Sequence, residues 1–371
     1  MAVYFERLSI DHFRGINSLF LDNLNHVNII AGNNNSGKTS VLEAMLLLRN
    51  PKDFSNVLRI ARIRDLISPF NAVSVYDNFI NLFPKNITPA EISIKGTCKG
   101  EPVSFRIVGE QKAILLASED LFQGLPVSAR RERIKNYSDG LETNAFKGEL
   151  QYEFGEKQCS SLIEFHAHSR ATDREIGKNN YMNIVYLSPA DHLRGNIFDK
   201  ILSDDLYKDI CLNVLRLFDT EILDLLYLKN EDSGRPAEYI KHSTLGNMSI
   251  STYGDGIKKV LSLANGIAQA SNGVLMIDEL ETAIHSKYYD DIFRFIIKAC
   301  KQFQVQVFIT THSIEAIDCL LATQDYDKQE FDDISVITFK KESDNIRTYS
   351  RILPGRRVYS NREEFGFEVR L

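Results

Sequence analysis

Residues 32–39 read Gly-Asn-Asn-Asn-Ser-Gly-Lys-Thr, a complete G-x-x-x-x-G-K-[ST] loop. An apolar strand precedes it (His26-Val27-Asn28-Ile29-Ile30-Ala31) and a helical run follows it (Ser40 to Leu48). Strand, glycine loop and helix is the setting this motif needs, and it commits the chain to an α/β core. Backbone N–H groups of Asn33, Asn34, Asn35, Ser36 and Gly37, with Ser40 just beyond, face a polyphosphate at the positive end of the helix. Lys38 reaches the β- and γ-phosphates, and the Thr39 hydroxyl is placed for Mg²⁺.

A nucleotide engine also needs an acidic group for the metal and one for water. Val274-Leu275-Met276-Ile277-Asp278-Glu279 supplies both. Four apolar residues in a row predict a strand buried on both faces of a parallel sheet, which delivers its last residues to the carboxyl edge where ligands bind. Asp278 is the candidate metal residue, through water, and Glu279 the candidate base for the attacking water. A further strand, Gln306 to Thr311, ends at His312, a candidate γ-phosphate sensor. Tyr253-Gly254-Asp255-Gly256 opens a helix running to about Ala270. Its glycines leave N–H groups uncovered, which suits an anion, although a simple glycine turn would look the same.

The order of these motifs resembles the ABC-type ATPases of the SMC, RecF and OLD group. The amino terminus, Phe5 to Ile16 with its Phe13-Arg14-Gly15 turn, is similar to the opening strand of that group. The resemblance covers residues 1–50 and 180–320. It implies an α/β ABC-type P-loop ATPase head: a mixed central sheet, an adjoining antiparallel sheet and a short helical lobe in place of a coiled coil. It also implies ATP and Mg²⁺ as ligands, Arg14 near the nucleotide, and a homodimer, or a higher oligomer built from dimers, in which Gly254, Asp255 and Gly256 of one subunit close over its neighbour's nucleotide. No serine precedes the glycine pair, and this Gly-Asp-Gly form looks like the OLD-type and anti-phage defence branch, such as the AriA, RloA and PtuA kinds. No glutamine marks the metal-sensing loop. The strand 183–189 is its nearest equivalent, which assigns Ser188 or Asp191 to the role. His285 falls in the loop that resembles the crossing between two heads.

Net charge is −6, which argues against nucleic acid binding over the whole surface and leaves room for local patches. Three basic clusters stand out: Arg59, Arg62 and Arg64; Arg130, Arg131, Arg133 and Lys135; and Arg347, Arg351, Arg356 and Arg357. The ordinary reading of each is a solvated face. The longest apolar runs fall short of a membrane span, the amino terminus has no signal-peptide pattern, and the five cysteines form no C-x-x-C pair. A cytoplasmic protein with reduced thiols and no zinc site is expected.

The expected domains are an ATPase core of residues 1–50 and 183–371, holding a helical lobe at 196–250, and an antiparallel-strand region at 51–182. Helical pieces are expected at Phe54–Ile67 and Tyr76–Leu82, a hairpin at 91–108, and a mobile insertion near 115–147. Helical spacing is read from Asn196 to Leu228, without sustained heptads, and Ile334–Phe339 is read as the last strand. About sixty residues follow His312, too few for the TOPRIM nuclease of OLD proteins. The resemblance therefore implies a separately encoded effector, a nuclease or toxin, in antiviral defence, with a RecF-like DNA clamp as the alternative.

Overall fold

The computed structural model describes residues 3–64, 73–116, 141–169, 182–194, 197–198, 200–229, 234, 236–328, 331–341 and 348–369. The strands are β1 (Phe5–Phe13), β2 (Ile16–Leu21), β3 (Val27–Ala31), β4 (Ala90–Cys98), β5 (Glu101–Leu116), β6 (Leu141–Phe154), β7 (Lys157–His166), β8 (Ile184–Leu187), β9 (Ile222–Lys229), β10 (Pro236–His242), β11 (Gly246–Ser249), β12 (Val274–Ile277), β13 (Gln306–Thr311), β14 (Ile334–Lys341) and β15 (Thr348–Pro354). The helices are α1 (Lys38–Leu47), α2 (Phe54–Ala61), α3 (Val75–Ile80), α4 (Asp205–Leu215), α5 (Asp255–Gln269), α6 (Tyr289–Gln302), α7 (Ile314–Leu321) and α8 (Gly355–Phe365). Two compact units result, one of Met1–Leu8, Phe20–Leu42 and Met182–Leu371, the other of Ser9–Leu19 and Glu43–Tyr181.

The first unit is built on a sheet of order β15-β14-β3-β13-β12-β8, parallel from β14 through β8, with β15 antiparallel at its edge. Strands β3, β12 and β13 are buried at every residue, as a sheet covered on both faces requires. Helices α5 and α6 are amphipathic, and their apolar faces join these strands in one core containing Val260, Ile267, Ile292 and Ile296. The buried Gln306 is fully satisfied: its Oε1 accepts from Tyr4 and Phe5 N–H, and its Nε2 donates to the Phe5 and Asn25 carbonyls. Buried amides need such partners. Because β3, β13, β12 and β8 run parallel, their carboxyl ends line one edge, where the motifs lie.

The second unit carries most of the sheet β2-β1-β4-β5-β6-β7, in which β4 to β7 pair antiparallel. An aromatic cluster of Phe54, Phe79, Phe83, Phe146 and Phe165 packs edge-on or stacked over it. Gly109 and Gly148 face each other across β5 and β6, where a Cβ on either would run into the opposite backbone and the Phe146 ring.

Several expectations change. The apolar stretch at 222–228 is strand β9, not helix, and it pairs with β10 and β10 with β11 in a three-stranded sheet, so the described residues of 196–250 hold one α-helix beside that sheet. Its apolar residues pack against neighbours that only the fold supplies. The helix expected to reach Ile67 stops at Ala61, capped at its start by Asp53, and residues 65–72 lie outside the described residues. Strand β14 is followed by β15, so it is not the last. The division between units falls inside α1, at 42/43 rather than 50, and the β1–β2 turn belongs with the second unit. Residues 115–116 and 141–147, expected in the insertion, are strand, and 117–140, with Arg130, Arg131, Arg133 and Lys135, lie outside the described residues, as does Arg347.

Candidate functional site

The glycine loop leaves β3 at Ala31 and enters α1 at Lys38. Gly37 has φ +103°, a conformation open to glycine and strained for other residues. Asn33, Asn34 and Asn35 are exposed, Ser36, Gly37 and Thr39 half-buried, and Ser40 buried. Lys38 is 8% exposed, and its ammonium donates to the Gly32 and Asn33 carbonyls at 2.7 and 2.9 Å. Burial lowers its pKa, and the carboxylates of Asp278, Glu279 and Glu281 oppose that shift.

Asp278 directly follows β12 and is 4% exposed. Its Oδ1 accepts from Thr310 Oγ1 at 2.6 Å and Thr39 Oγ1 at 3.2 Å, and its Oδ2 accepts from Tyr186 OH at 3.1 Å. Three hydroxyls thus fix the carboxylate against the loop. A threonine hydroxyl sharing one carboxylate oxygen is a hard, oxygen-only donor set, which fits Mg²⁺ with nucleotide and water completing its shell. Thr310 and Tyr186 carry no motif signature. They arrive because β12 pairs with β13 and β8 in register, Ile277 beside Ile309 and Met276 beside Tyr186.

Glu279 has φ +48°, left-handed for a residue with a Cβ. Its N–H donates to Thr310 Oγ1 at 2.8 Å, so one threonine sets both members of the acidic pair. Such local strain, of order 1–3 kcal/mol, collects at functional sites. His312 follows β13, and Glu281 Oε1 takes both its backbone N–H and its ring Nδ1 at 2.9 Å. Glu281 therefore positions His312, a role that sequence reading did not assign. Ser188, just after β8, is buried, and its N–H donates to Asp191 Oδ2 at 2.7 Å, which binds the two candidates into one turn.

Helix α5 starts at Asp255 with Gly254 as a cap that makes no side-chain hydrogen bond. A Cβ on Gly254 would meet nothing within 4 Å, whereas one on Gly256 would meet the Ala283 carbonyl and the Phe218 ring at 3.3 and 3.4 Å. The open glycine is Gly254, and Gly256 is packed against its own chain. His285 caps the next turn, its Nδ1 accepting from Lys287 N–H. Arg14, in the second unit, forms an ion pair with Glu43 at 2.8 Å and donates to the Ile60 carbonyl. Glu43 is fully buried and also holds Arg64 at 2.7 Å. These two arginines serve that carboxylate.

A family model described as an AAA domain, putative AbiEii toxin, type IV TA system, matches residues 27–318. The chain belongs to this AAA-domain family. Among curated relatives, a Helicobacter pylori protein named ATP/GTP phosphatase is 22% identical over 87% of the chain and 90% of its own length. The DNA replication and repair protein RecF of Lactobacillus acidophilus is 27% identical over 55% of the chain and 49% of its own length. The chain spans less than half the length of some curated relatives it matches. A solved SMC head, bound in that structure to the C-winged helix domain of ScpA, matches with a TM-score of 0.51 at 15% identity, covering 96% of the chain and all of the head. The AAA-domain chain has the fold of an ABC-type P-loop ATPase head. Among its described residues no helix is long and apolar enough to cross a membrane.

Proposed function

We propose that this chain hydrolyses ATP to ADP and phosphate in a site closed by a second copy of itself, and that the cycle controls a separately encoded nuclease or toxin in prokaryotic defence. The observation that carries the hydrolytic part is the meeting of Lys38, Thr39, Asp278 and Glu279 at one sheet edge, fixed by Thr310 and Tyr186. Lys38 neutralises polyphosphate charge. Thr39 and Asp278 hold Mg²⁺, which when bound supplies charge neutralisation at the phosphates. Glu279 takes a proton from, or orients, the attacking water, and His312 reads the γ-phosphate.

Dimerisation is supported by the bare start of α5, whose open Gly254 suits a neighbour's phosphate. Loss of the γ-phosphate removes those contacts and loosens the pair. The defence role is supported by the family description, which names a toxin of a toxin–antitoxin system, and by the Gly-Asp-Gly start. A RecF-like clamp on DNA is the second reading, favoured by the RecF relative.

Phosphate release from ATP by purified protein with Mg²⁺ tests the chemistry, with Lys38→Ala and Glu279→Gln as controls. No release above the controls would sink the hydrolase. Stimulation by duplex DNA selects the RecF-like reading. Suppression or release of a co-encoded toxic protein, dependent on Glu279, selects the defence reading. DNA or RNA cleavage that tracks a point variant of this chain overturns the separate effector.

A further inference from the structure

Lys259 lies in the second turn of α5, five residues beyond the open Gly254. Its side chain is 2% exposed, and among the described residues its ammonium has no hydrogen-bond partner. A buried, unpaired charge is among the costliest features a fold can keep. The first turn of its helix packs on the loop after β12, where a Cβ on Gly256 would sit 3.3 Å from the Ala283 carbonyl. The charges that act on Lys259 come from two elements: Asp191 from the turn after β8, and Asp278, Glu279 and Glu281 from the loop after β12; His192, beside Asp191, feels Lys259 in turn.

Most of those carboxylates are engaged. Asp191 caps Ser188, Asp278 accepts three hydroxyls, and Glu279 Oε2 accepts from Thr282 Oγ1 at 3.5 Å. Glu281 differs. Its Oε1 holds His312, while its Oε2 is buried with no hydrogen-bond partner among the described residues. The same small region therefore holds a buried donor with no acceptor and a buried acceptor with no donor, of opposite charge. One sits on the helix that starts at Gly254, the other on the loop that carries Glu279 and steadies His312.

We propose that Lys259 and Glu281 form a buried ion pair when the nucleotide site closes, so that Lys259 is a positioning residue which acts through Glu281 on His312 and the Glu279 loop. This rests on the hydrolase reading above for its activity arm. The pair gives α5 a mechanical hold on the acidic loop: a phosphate engaging the start of the helix shifts Lys259 toward Glu281, and an ammonium meeting a desolvated carboxylate is a strong, directional contact. Both atoms are already buried, so forming the pair adds little desolvation cost.

The test is a double-mutant cycle in the full chain, using Lys259→Met and Glu281→Gln, with Lys259→Arg as the charge-keeping variant. Lys259→Met is near-isosteric and removes an unpaired charge, so it should fold. Expected are a fall in kcat of about tenfold or more in each single variant with the affinity for a non-hydrolysable ATP analogue unchanged, no further loss in the double variant, and partial recovery with arginine. Wild-type kcat in Lys259→Met, or losses that multiply in the double variant, would overturn the pair. If the wild type binds nucleotide yet releases no phosphate, the hydrolase reading falls alone. The cycle is then read in the Tm shift induced by the analogue, where non-additivity supports the pair and additivity overturns it.

Discussion

Two glycine-rich helix starts face the same acidic loop, and they differ in completeness. At the start of α1 the lysine is satisfied, its ammonium resting on the loop's own carbonyls, and the adjacent threonine is bonded to Asp278. At the start of α5 the cap is bare, and the lysine has no hydrogen-bond partner among the described residues. Both lysines feel Asp278, Glu279 and Glu281. The first start is finished within one chain and needs only nucleotide. The second is built to a half-way point, as expected for an element that works when something else docks against it.

The comparison breaks most sharply at Glu279, which lies between the two starts. Glu279→Gln should keep nucleotide binding and lower turnover by about 10²–10⁴-fold, measured by single-turnover phosphate release. Near-normal turnover would mean that another group handles the water. Lys38→Ala should weaken ATP binding by about 10²-fold or more without unfolding the chain, checked by calorimetry beside circular dichroism. Tight binding by that folded variant would remove the first helix start from the phosphate site.

Gly254→Arg sharpens the contrast. Open space surrounds that position, so the variant should fold, bind ATP and fail to hydrolyse it, while mixing it with Lys38→Ala restores part of the activity through the one intact composite site. Hydrolysis retained by Gly254→Arg alone would place the whole site in one chain. Gly256→Arg is a poorer probe, because it strikes the Ala283 carbonyl and Phe218 of its own chain. Thr310→Val should cost about 1–3 kcal/mol of stability, read from urea midpoints, because it removes one buried and one part-buried hydrogen bond and takes the Thr310 hydroxyl from the Glu279 N–H.

A stability effect of opposite sign concerns Lys259. Burial pulls its pKa from 10.5 down to about 8. The folded chain therefore binds fewer protons than the unfolded chain between these values, so the stability of the wild type rises as pH climbs through that window. Below it the penalty is fully present. Lys259→Met should be more stable than wild type at pH 7, by an amount on the order of 3 kcal/mol at most, and should lack the rise. A variant that is both more stable and slower would mark the lysine as kept for function.

What could be read from residue order alone was the contiguous part. A glycine loop, the lysine and threonine behind it, and an apolar run ending in Asp278-Glu279 are stretches in which neighbours along the chain do the work, and local backbone geometry demands those residue types. The buried strands β3, β12 and β13 were legible for the same reason: water is excluded from both faces, and composition shows it. The apolar stretch at 222–228 misled because a short apolar run suits a helix or a strand, and its partner β10 lies beyond it in the chain.

Tertiary structure decided the rest. Thr310 and Tyr186 reach Asp278 through strand register, where a slip of one residue would turn each to the opposite face. Glu281 beneath His312, Gly254 rather than Gly256 as the open glycine, and Arg14 bound to Glu43 follow from packing between segments distant in sequence. Lys259 is the plainest case. In the sequence it is one lysine of a Lys-Lys pair on an amphipathic helix, and only the core around it shows which of the two was taken out of water.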